Sequence, residues 1–480
     1  MTSQVELDRD VPVRVREQMP LWRSYDTGEA SKTELRDAAA MENKTQPIHR
    51  WVPWIAGFSA QFVEDAIEAY LPASRRDQAL VLDPFAGVAT TLIEALKHGC
   101  NVVGYDINPF AVLAARAKIN CVDVLVDDFR HEVSAFRSAM LRFEQHVDRR
   151  YATDGAEGVA EIIAGLPLGA PSRFRSRIPF FSPPVQAKFL YALARTTVLL
   201  EPDRSLFRAA LGATMVPFSN YSYEPSLSSR PGAGKALIDN APVGTVVCRK
   251  LDEMLEDIEF IQDTYGTAWR ATERAMHHGS YFSSELAPQT VSLLVTSPPY
   301  MNNYHYVRNT RPQLHWLDLL DGSGRLRALE EDNFGKFWQT VRQRERIDLA
   351  FDFPELAGAI DHVRTLNPHK GYYGGQGWAN YVATYFNDTH RFVGLVKRHL
   401  QPGAHAVIVV GNSIIQGVEF KVDHLLAQIA ERQDMSVDDI HIVRTKRVGN
   451  SIVGSSVRND ENNGHREAIQ LYDAAVVLRA

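Results

Sequence analysis

An apolar run, Ala79–Leu82, that gives way to Asp83-Pro84-Phe85-Ala86-Gly87-Val88-Ala89-Thr90-Thr91 restricts this chain more than any other feature. A helical pattern, Leu92–His98, follows it. A second short strand, Asn101–Tyr105, then ends at Asp106, and another helix runs from Pro109 to about Asn120. Strand, glycine turn, helix, strand, helix is the pattern of a parallel α/β sheet. Small residues at the turn let a ligand approach the backbone, and the helix amino terminus offers free N–H groups. Parallel strands finish on one edge, so Gly87 and Asp106 are expected at a common ligand site. An acid at the second strand end can accept hydrogen bonds from both hydroxyls of a ribose. NAD suits such an acid equally well, but G-x-G-x-x-G is absent because Ala89 stands at the second glycine position. Asp106 also suits a plain helix cap.

A second strand end carries different chemistry. Val291–Val295 is apolar and leads into Thr296-Ser297-Pro298-Pro299-Tyr300. Successive prolines fix φ and remove two N–H donors, which leaves carbonyls as acceptors. Ser297 adds a hydroxyl and Tyr300 an aromatic face. An exocyclic amine donates hydrogen bonds and belongs to a flat ring, so this stretch suits it. The bland alternative is a stiff loop leaving a strand, which is how Pro183-Pro184 reads. The pairing with Asp83-Pro84-Phe85-x-Gly87 is far more specific than either motif alone.

Between these motifs the alternation breaks. Val122 to Trp269 reads as helix and loop punctuated by prolines. After Tyr300 come a helix at Thr310–Leu320, an irregular region and a glycine-rich loop at Gly371–Gly377. The α/β pattern returns with a helix at Tyr381–His399, a strand at Ala404–Val410 and a helix at Val422–Arg432. Two last strands, His441–Arg447 and Ala468–Leu478, suit an antiparallel hairpin at the sheet edge. The division expected is an N-terminal arm, 1–46, with Ser31 and Glu34 as a capping box; a catalytic domain, 47–121 and 270–480; and a helical insertion, 122–269, as a DNA-recognition region.

Composition narrows the rest. The chain has 480 residues, 45% of them hydrophobic, which supports one large core with an insertion or two cores. A net charge of −6 forbids a uniformly basic surface, so a nucleic-acid enzyme of this sequence must gather its cations on one face. The three cysteines are far apart and form no C-x-x-C pair, and the histidines lack ligand spacing, so no metal site is expected. Neither a secretion signal nor an apolar run of roughly 20 residues is present, which predicts a cytoplasmic protein with no membrane partner. Arg173-Phe174-Arg175-Ser176-Arg177 places arginines where they can meet phosphates, and Tyr221–Lys235, with Arg230, suits an adaptable DNA-reading loop. Solvated loops are an equal reading of both. Asn302, Asn303, Tyr306 and Arg308, just past the double proline, are placed to line a base pocket, though Tyr306 equally suits the core.

With these residues in view, the chain resembles the DNA amino-methyltransferases. Asp83–Thr91 is similar to their D-P-F-x-G-x-G-T-T cofactor motif, and Thr296–Tyr300 matches their catalytic motif in the T-S-P-P-Y form. That form is typical of cytosine-N4 members; adenine-N6 members more often carry D-P-P-Y or N-P-P-Y. His49–Phe58 resembles the upstream cofactor motif, and Asp106 with Asn108 resembles the ribose-binding one. His465-Arg466-Glu467 resembles an element before the last strand. The resemblance implies a Rossmann-like sheet, mostly parallel with an antiparallel C-terminal hairpin, plus the helical insertion. It implies S-adenosylmethionine as cofactor, held by Phe58, Asp83, Pro84, Phe85, Gly87, Thr90, Thr91, Asp106, Asn108 and Thr296. Ser297, Pro298, Pro299 and Tyr300 would carry the transfer. Double-stranded DNA would be the partner, with Arg173, Arg175 and Arg230 among its contacts, and cognate restriction or defence proteins would accompany the enzyme. Three departures stand out: Ala89 for the second glycine, Ser280 where an aspartate usually meets the cofactor adenine, and the position of the insertion. Adenine-N6 methylation, RNA guanine-N2 methylation and a non-catalytic binding module remain as other readings.

Overall fold

The computed structural model describes residues 35–39, 42–54, 57, 59–223, 226–301, 306–320, 326–446 and 471–480. Phe58, Asn302 and Asn303, the side chain of Tyr306, the Ser31/Glu34 capping box and His465–Glu467 lie outside what is described.

One seven-stranded sheet organises the chain: β1 (Leu80–Asp83), β2 (Asn101–Asp106), β3 (Arg274–His278), β4 (Val291–Thr296), β5 (Leu400–Gly411), β6 (Ser436–Lys446) and β7 (Leu471–Arg479). The order across it is β6-β7-β5-β4-β1-β2-β3. The pairs from β5 to β3 are parallel, and β7 runs antiparallel to both β5 and β6, as the C-terminal pattern predicts. Strand β3 is one that the sequence pattern does not predict. It pairs with β2 from Val102↔Arg274 to Asp106↔His278, yet of its five residues only Met276 is buried. An edge strand with so little apolar alternation leaves no period-2 signal.

Successive residues along the strands feed opposite faces. Val81, Leu293 and Val407 enter one core, while Leu82, Leu294 and Ile408 enter the other. Burial on both faces is what a parallel sheet with helices on each side requires. On the first face lie α1 (Ala60–Tyr70), α2 (Thr90–Lys97) and α3 (Pro109–Ile119). The Ser59 side chain caps α1 by accepting from Phe62 N. Asn108 caps α3 by accepting from Phe110 N and Ala111 N, with Pro109 at its first position.

The long insertion builds α4 (Val126–Ala164, kinked at Gly155), α5 (Pro183–Thr196), α6 (Asp203–Thr214) and α7 (Val243–Arg270), with a small hairpin of Tyr221–Tyr223 and Leu227–Ser229. Phe129, Phe136, Phe207 and Met254 from these helices share one hydrophobic core with Val81 and Leu92. Pro183 and Pro184 open α5, where a missing N–H costs nothing, instead of stiffening a loop.

Between β4 and β5 lie α8 (Tyr306–Asn309), α9 (Arg311–Trp316), α10 (Leu326–Asp332), α11 (Trp338–Val341), α12 (Pro354–Thr365) and α13 (Gly375–His399); α14 (Val422–Glu431) follows β5. The helix expected over Thr310–Leu320 is the shorter α9, with Pro312 in its first turn, and a further short helix, α8, precedes it. The glycine-rich loop expected at Gly371–Gly377 is instead the end of a 3₁₀ turn, Pro368–Tyr373, and the first residues of α13. Among the described residues no helix is long and apolar enough to cross a membrane.

Candidate active site

β1 and β4 are adjacent and parallel, so their two motifs emerge side by side. A buried hydrogen bond joins them: Thr296 Oγ1 donates to Asp83 Oδ1 at 2.6 Å. The same oxygen accepts from Phe85 N at 3.0 Å, and Thr91 Oγ1 donates to the Val295 carbonyl at 3.2 Å. Asp83, Thr90, Thr91 and Thr296 are therefore buried beneath the site, where they brace the two turns. Asp83 and Thr296 satisfy each other there and Thr91 bonds a strand carbonyl, so none of these four expected contacts lines the cleft itself.

Burial pushes the Asp83 carboxyl up to about 6, against the pull of the hydrogen bonds it accepts. A carboxyl raised in this way favours folding while it is protonated, below about pH 4, and the contribution is lost as pH rises through about 6. A displacement of about two pH units corresponds to roughly 3 kcal/mol. Asp83→Asn keeps an acceptor and cannot ionise. It should be more stable than the parent near pH 7.5 by up to about 3 kcal/mol, with the gap narrowing to about 1 kcal/mol near pH 4.5. Urea denaturation of both proteins at the two pH values checks this, and a constant gap would contradict it.

Above this brace lies an open cleft. Pro84, Phe85 and Gly87 line it from the first turn, Asp106, Ile107 and Asn108 from the end of β2, and Ser297 and Pro299 from the double-proline turn. Pro298 is buried directly behind, and the Tyr300 ring lies over Gly411, at the end of β5, where an added Cβ would be 3.0 Å from the ring. Asp106 is half-buried. Its Oδ2 accepts from Gly87 N at 2.9 Å and its Oδ1 from Asn108 N at 2.7 Å, so the acid fixes the glycine turn as well as facing the cleft. Burial pushes this carboxyl up to about 6.

Ala89 occupies the left-handed region, with φ 73° and ψ 33°, at the head of α2. That conformation explains why a glycine suits the position: an L residue there costs roughly 1–2 kcal/mol. Ala89→Gly should raise the unfolding free energy by about 1 kcal/mol, after the extra unfolded-state entropy of glycine is deducted. A shifted urea midpoint at constant slope is the readout; a loss of stability contradicts the account.

Several cleft residues are not among the contacts expected from the sequence. Trp54 covers Gly87 so closely that an added Cβ would lie 3.1 Å from its Nε1. Asp332, Asn333 and Phe334 reach the cleft from the segment after β4, opposite Ser280, Tyr281 and Phe282. The Phe334 ring stacks against Phe282 at 6.1 Å and meets Phe85 edge-on at 5.3 Å. Ser280 lines the cleft, but its hydroxyl accepts from Phe282 N at 3.3 Å and caps its own turn.

The segment that leads into Trp54 is anchored on α7, far away in sequence. Asp257 Oδ2 accepts from Ile48 N and from Trp51 Nε1, each at 2.8 Å, and Oδ1 accepts from Arg50 Nη2 at 2.6 Å. Asp257 is 2% exposed, and Ile48 is held at φ 66°, a strained angle for a β-branched residue.

The other sequence candidates scatter. Arg308 is exposed on α8, next to Val307, which lines the cleft. Arg173 and Arg175 are exposed on a loop whose Phe174 packs against Trp316 of α9, and Arg311 Nη2 donates to the Arg175 carbonyl. Arg230 donates through Nε to the Ala236 carbonyl at 2.7 Å and so holds its own loop. The insertion hairpin docks on α8: Tyr223 OH donates to the Asn309 carbonyl, and Leu227 N to Asn309 Oδ1. All three cysteines are buried, and burial pushes their thiols up, which keeps them from acting as thiolates.

The sheet order, the parallel ligand edge and the antiparallel last strand define an S-adenosylmethionine-dependent methyltransferase fold. A family model described as DNA methylase, for the N6 and N4 enzymes, matches residues 21–117. Type II methyltransferase M.BsoBI of Geobacillus stearothermophilus is 25% identical over 442 residues, 85% of this chain and 82% of its own length. Type II methyltransferase M.AvaI of Nostoc sp. is 22% identical over 435 residues, covering 85% of this chain and 83% of its own. Type II methyltransferase M.MvaI of Kocuria varians is 22% identical over 404 residues, with 82% and 83% covered. These likenesses support the DNA amino-methyltransferase family for this chain, and with it S-adenosylmethionine as methyl donor.

Proposed function

We propose that this protein transfers a methyl group from S-adenosylmethionine to the exocyclic N4 amine of cytosine in double-stranded DNA. The observation that carries the reading is the junction of the two motifs: the Thr296–Asp83 bond holds Ser297 and Pro299 in the same cleft as Gly87 and Asp106. The chemistry of the cleft fits the cofactor. Asp106 uses one acceptor direction of each oxygen on backbone N–H groups, and a carboxylate has further lone pairs for ribose hydroxyls. Phe282, Phe334 and Trp54 supply flat apolar walls for a purine.

When bound, S-adenosylmethionine supplies an electrophilic methyl. The chain's own residues position the amine. A base must leave the duplex to reach the cleft, at a cost of roughly a few kcal/mol. The Ser297 hydroxyl accepts a hydrogen bond from the amine, and the carbonyl of the double-proline turn accepts another, because two prolines place no competing donor there. Tyr300 offers the base a face to stack on. These acceptors act most strongly as positive charge develops on the nitrogen, so catalysis comes from positioning and preorganised dipoles.

Three further features support the reading. The motif spelling Thr296-Ser297-Pro298-Pro299-Tyr300 favours cytosine N4 over adenine N6. The insertion hairpin and the Arg173–Arg177 loop, docked on α8 and α9 beside the cleft, suit a DNA-facing surface. The relatives' Type II designation supports a place in restriction-modification. Mapping modified bases in genomic DNA from cells that express the protein tests all of this. N4-methylcytosine in a fixed sequence context is expected. N6-methyladenine would move the activity to the other amine, and unmodified DNA with active, cofactor-binding protein would remove it.

A further inference from the structure

A cluster of aromatic rings around one arginine lies on the surface near the double-proline turn and takes no part in the site described above. Arg342 follows α11. Its guanidinium carbon lies 4.5 Å from the ring centroid of Trp338, 4.5 Å from Tyr373 and 5.5 Å from Tyr372. Trp338 stacks in turn on Trp378 at 5.0 Å and 21°. Tyr372 and Tyr373 are 38% and 51% exposed. An exposed tyrosine pair over a stacked arginine is costly to leave in water, and aromatic and arginine side chains are what binding surfaces concentrate.

One observation points to a ligand: Arg342 makes no ion pair among the described residues, so its ring-stacked charge is left for a partner from outside. Its Nε and Trp338 Nε1 are buried beneath the rings' contacts without hydrogen-bond partners. The platform is also rigid. The 3₁₀ turn that carries the tyrosines lies directly on the start of α13, where an added Cβ on Gly375 would be 1.9 Å from the Val363 carbonyl and one on Gly377 would be 2.1 Å from the Tyr372 carbonyl. Glycines are required there because backbone meets backbone.

Its location follows from topology. α13 runs straight into β5, which is parallel to β4, so α13 begins at the edge where β4 ends. A direct contact bears this out: Tyr381, one turn after Trp378 on α13 and edge-on to its ring at 5.8 Å, donates its hydroxyl to the carbonyl of Met301, the residue after Tyr300. The platform is thus one side chain removed from the turn that grips the amine. Exposed Arg344 and Lys370 flank it, in a protein whose overall charge is negative.

We propose that this platform holds the DNA duplex beside the displaced base, with the tyrosine faces taking a base or sugar and Arg342, pre-stacked and unpaired, meeting a phosphate. The inference rests on the methyl-transfer reading for its substrate, and its test separates the two. Binding of a fluorescein-labelled mixed-sequence 40-bp duplex is read by anisotropy at several salt concentrations, and transfer to unmethylated plasmid DNA is read with labelled cofactor. Removing both exposed rings, Tyr372→Ala with Tyr373→Ala, should weaken duplex binding and raise KM for plasmid by about 10- to 100-fold, as loss of base stacking does. Affinity for S-adenosylmethionine by calorimetry and the melting temperature should stay as in the parent. Arg342→Lys should lose most of the same binding, because a lysine keeps the charge but not the planar stack. Duplex binding unchanged in the double variant overturns the proposal. So does unchanged binding with a shift in size-exclusion mass, which assigns the face to a second copy of the chain. A parent that binds duplex through these rings but methylates nothing sinks the transfer reading and upholds the platform. A parent that binds no duplex sinks the platform itself.

Discussion

Ser297→Ala should lower the rate of methyl transfer to DNA by about 10²–10³-fold while affinity for S-adenosylmethionine stays within about twofold. The hydroxyl lines the cleft next to Pro299 and is held there by a turn whose first residue, Thr296, is bonded to Asp83. Its acceptor role grows as charge develops on the attacking nitrogen, so its removal acts on the transition state more than on the bound ground state. Single-turnover transfer with labelled cofactor measures the loss, and calorimetry measures binding. A variant that transfers at the parental rate sinks the assignment of Ser297. Pro298→Ala, under the same assay, should be more damaging: it frees φ and restores an N–H donor where the amine brings its own donors.

Asp257→Ala should cost about 3–5 kcal/mol of stability, the usual result of removing one partner from a buried charge cluster. Four donors converge on that carboxylate: Ile48 N, Trp51 Nε1 and two guanidinium nitrogens of Arg50. Without it the strained Ile48 backbone loses the acceptor of its N–H, and Trp54, three residues past Trp51, should sit less firmly over Gly87. The loss should therefore appear twice, as a lower urea midpoint and as a weaker calorimetric affinity for S-adenosylmethionine at temperatures where the variant is folded. Unchanged cofactor affinity would separate Asp257 from the site and leave it a purely structural anchor.

The glycine turn after β1 was legible because its signal is local. Asp83-Pro84-Phe85-x-Gly87 between an apolar run and a helical pattern specifies strand, turn and helix within a dozen or so residues, and the double proline after Val295 does the same for β4. The roles within those motifs were less legible. Asp83, Thr91 and Thr296 look like ligand contacts in one dimension, but in three Asp83 and Thr296 bond each other and Thr91 bonds the Val295 carbonyl under the cleft. Strand β3 escaped because its burial comes from one neighbour at the sheet edge, which its own composition does not record. The Gly374–Gly377 stretch looked like a loop because glycine is a poor helix former. Contact with the Val363, Leu366 and Tyr372 carbonyls overrides that preference.

The chain's order of residues was enough to determine the parallel sheet, the ligand edge and the pair of motifs that meet there. Each rests on short-range preferences for strand, turn and helix, and on the rule that parallel strands end together. Only the tertiary structure decided which carboxylate braces and which faces the cleft, that Asp257 of the insertion anchors the segment leading to Trp54, and that Trp338, Arg342, Tyr373 and Trp378 converge near Met301. Those outcomes depend on contacts between residues tens to hundreds of positions apart, and such contacts leave no periodic trace in the segments that make them.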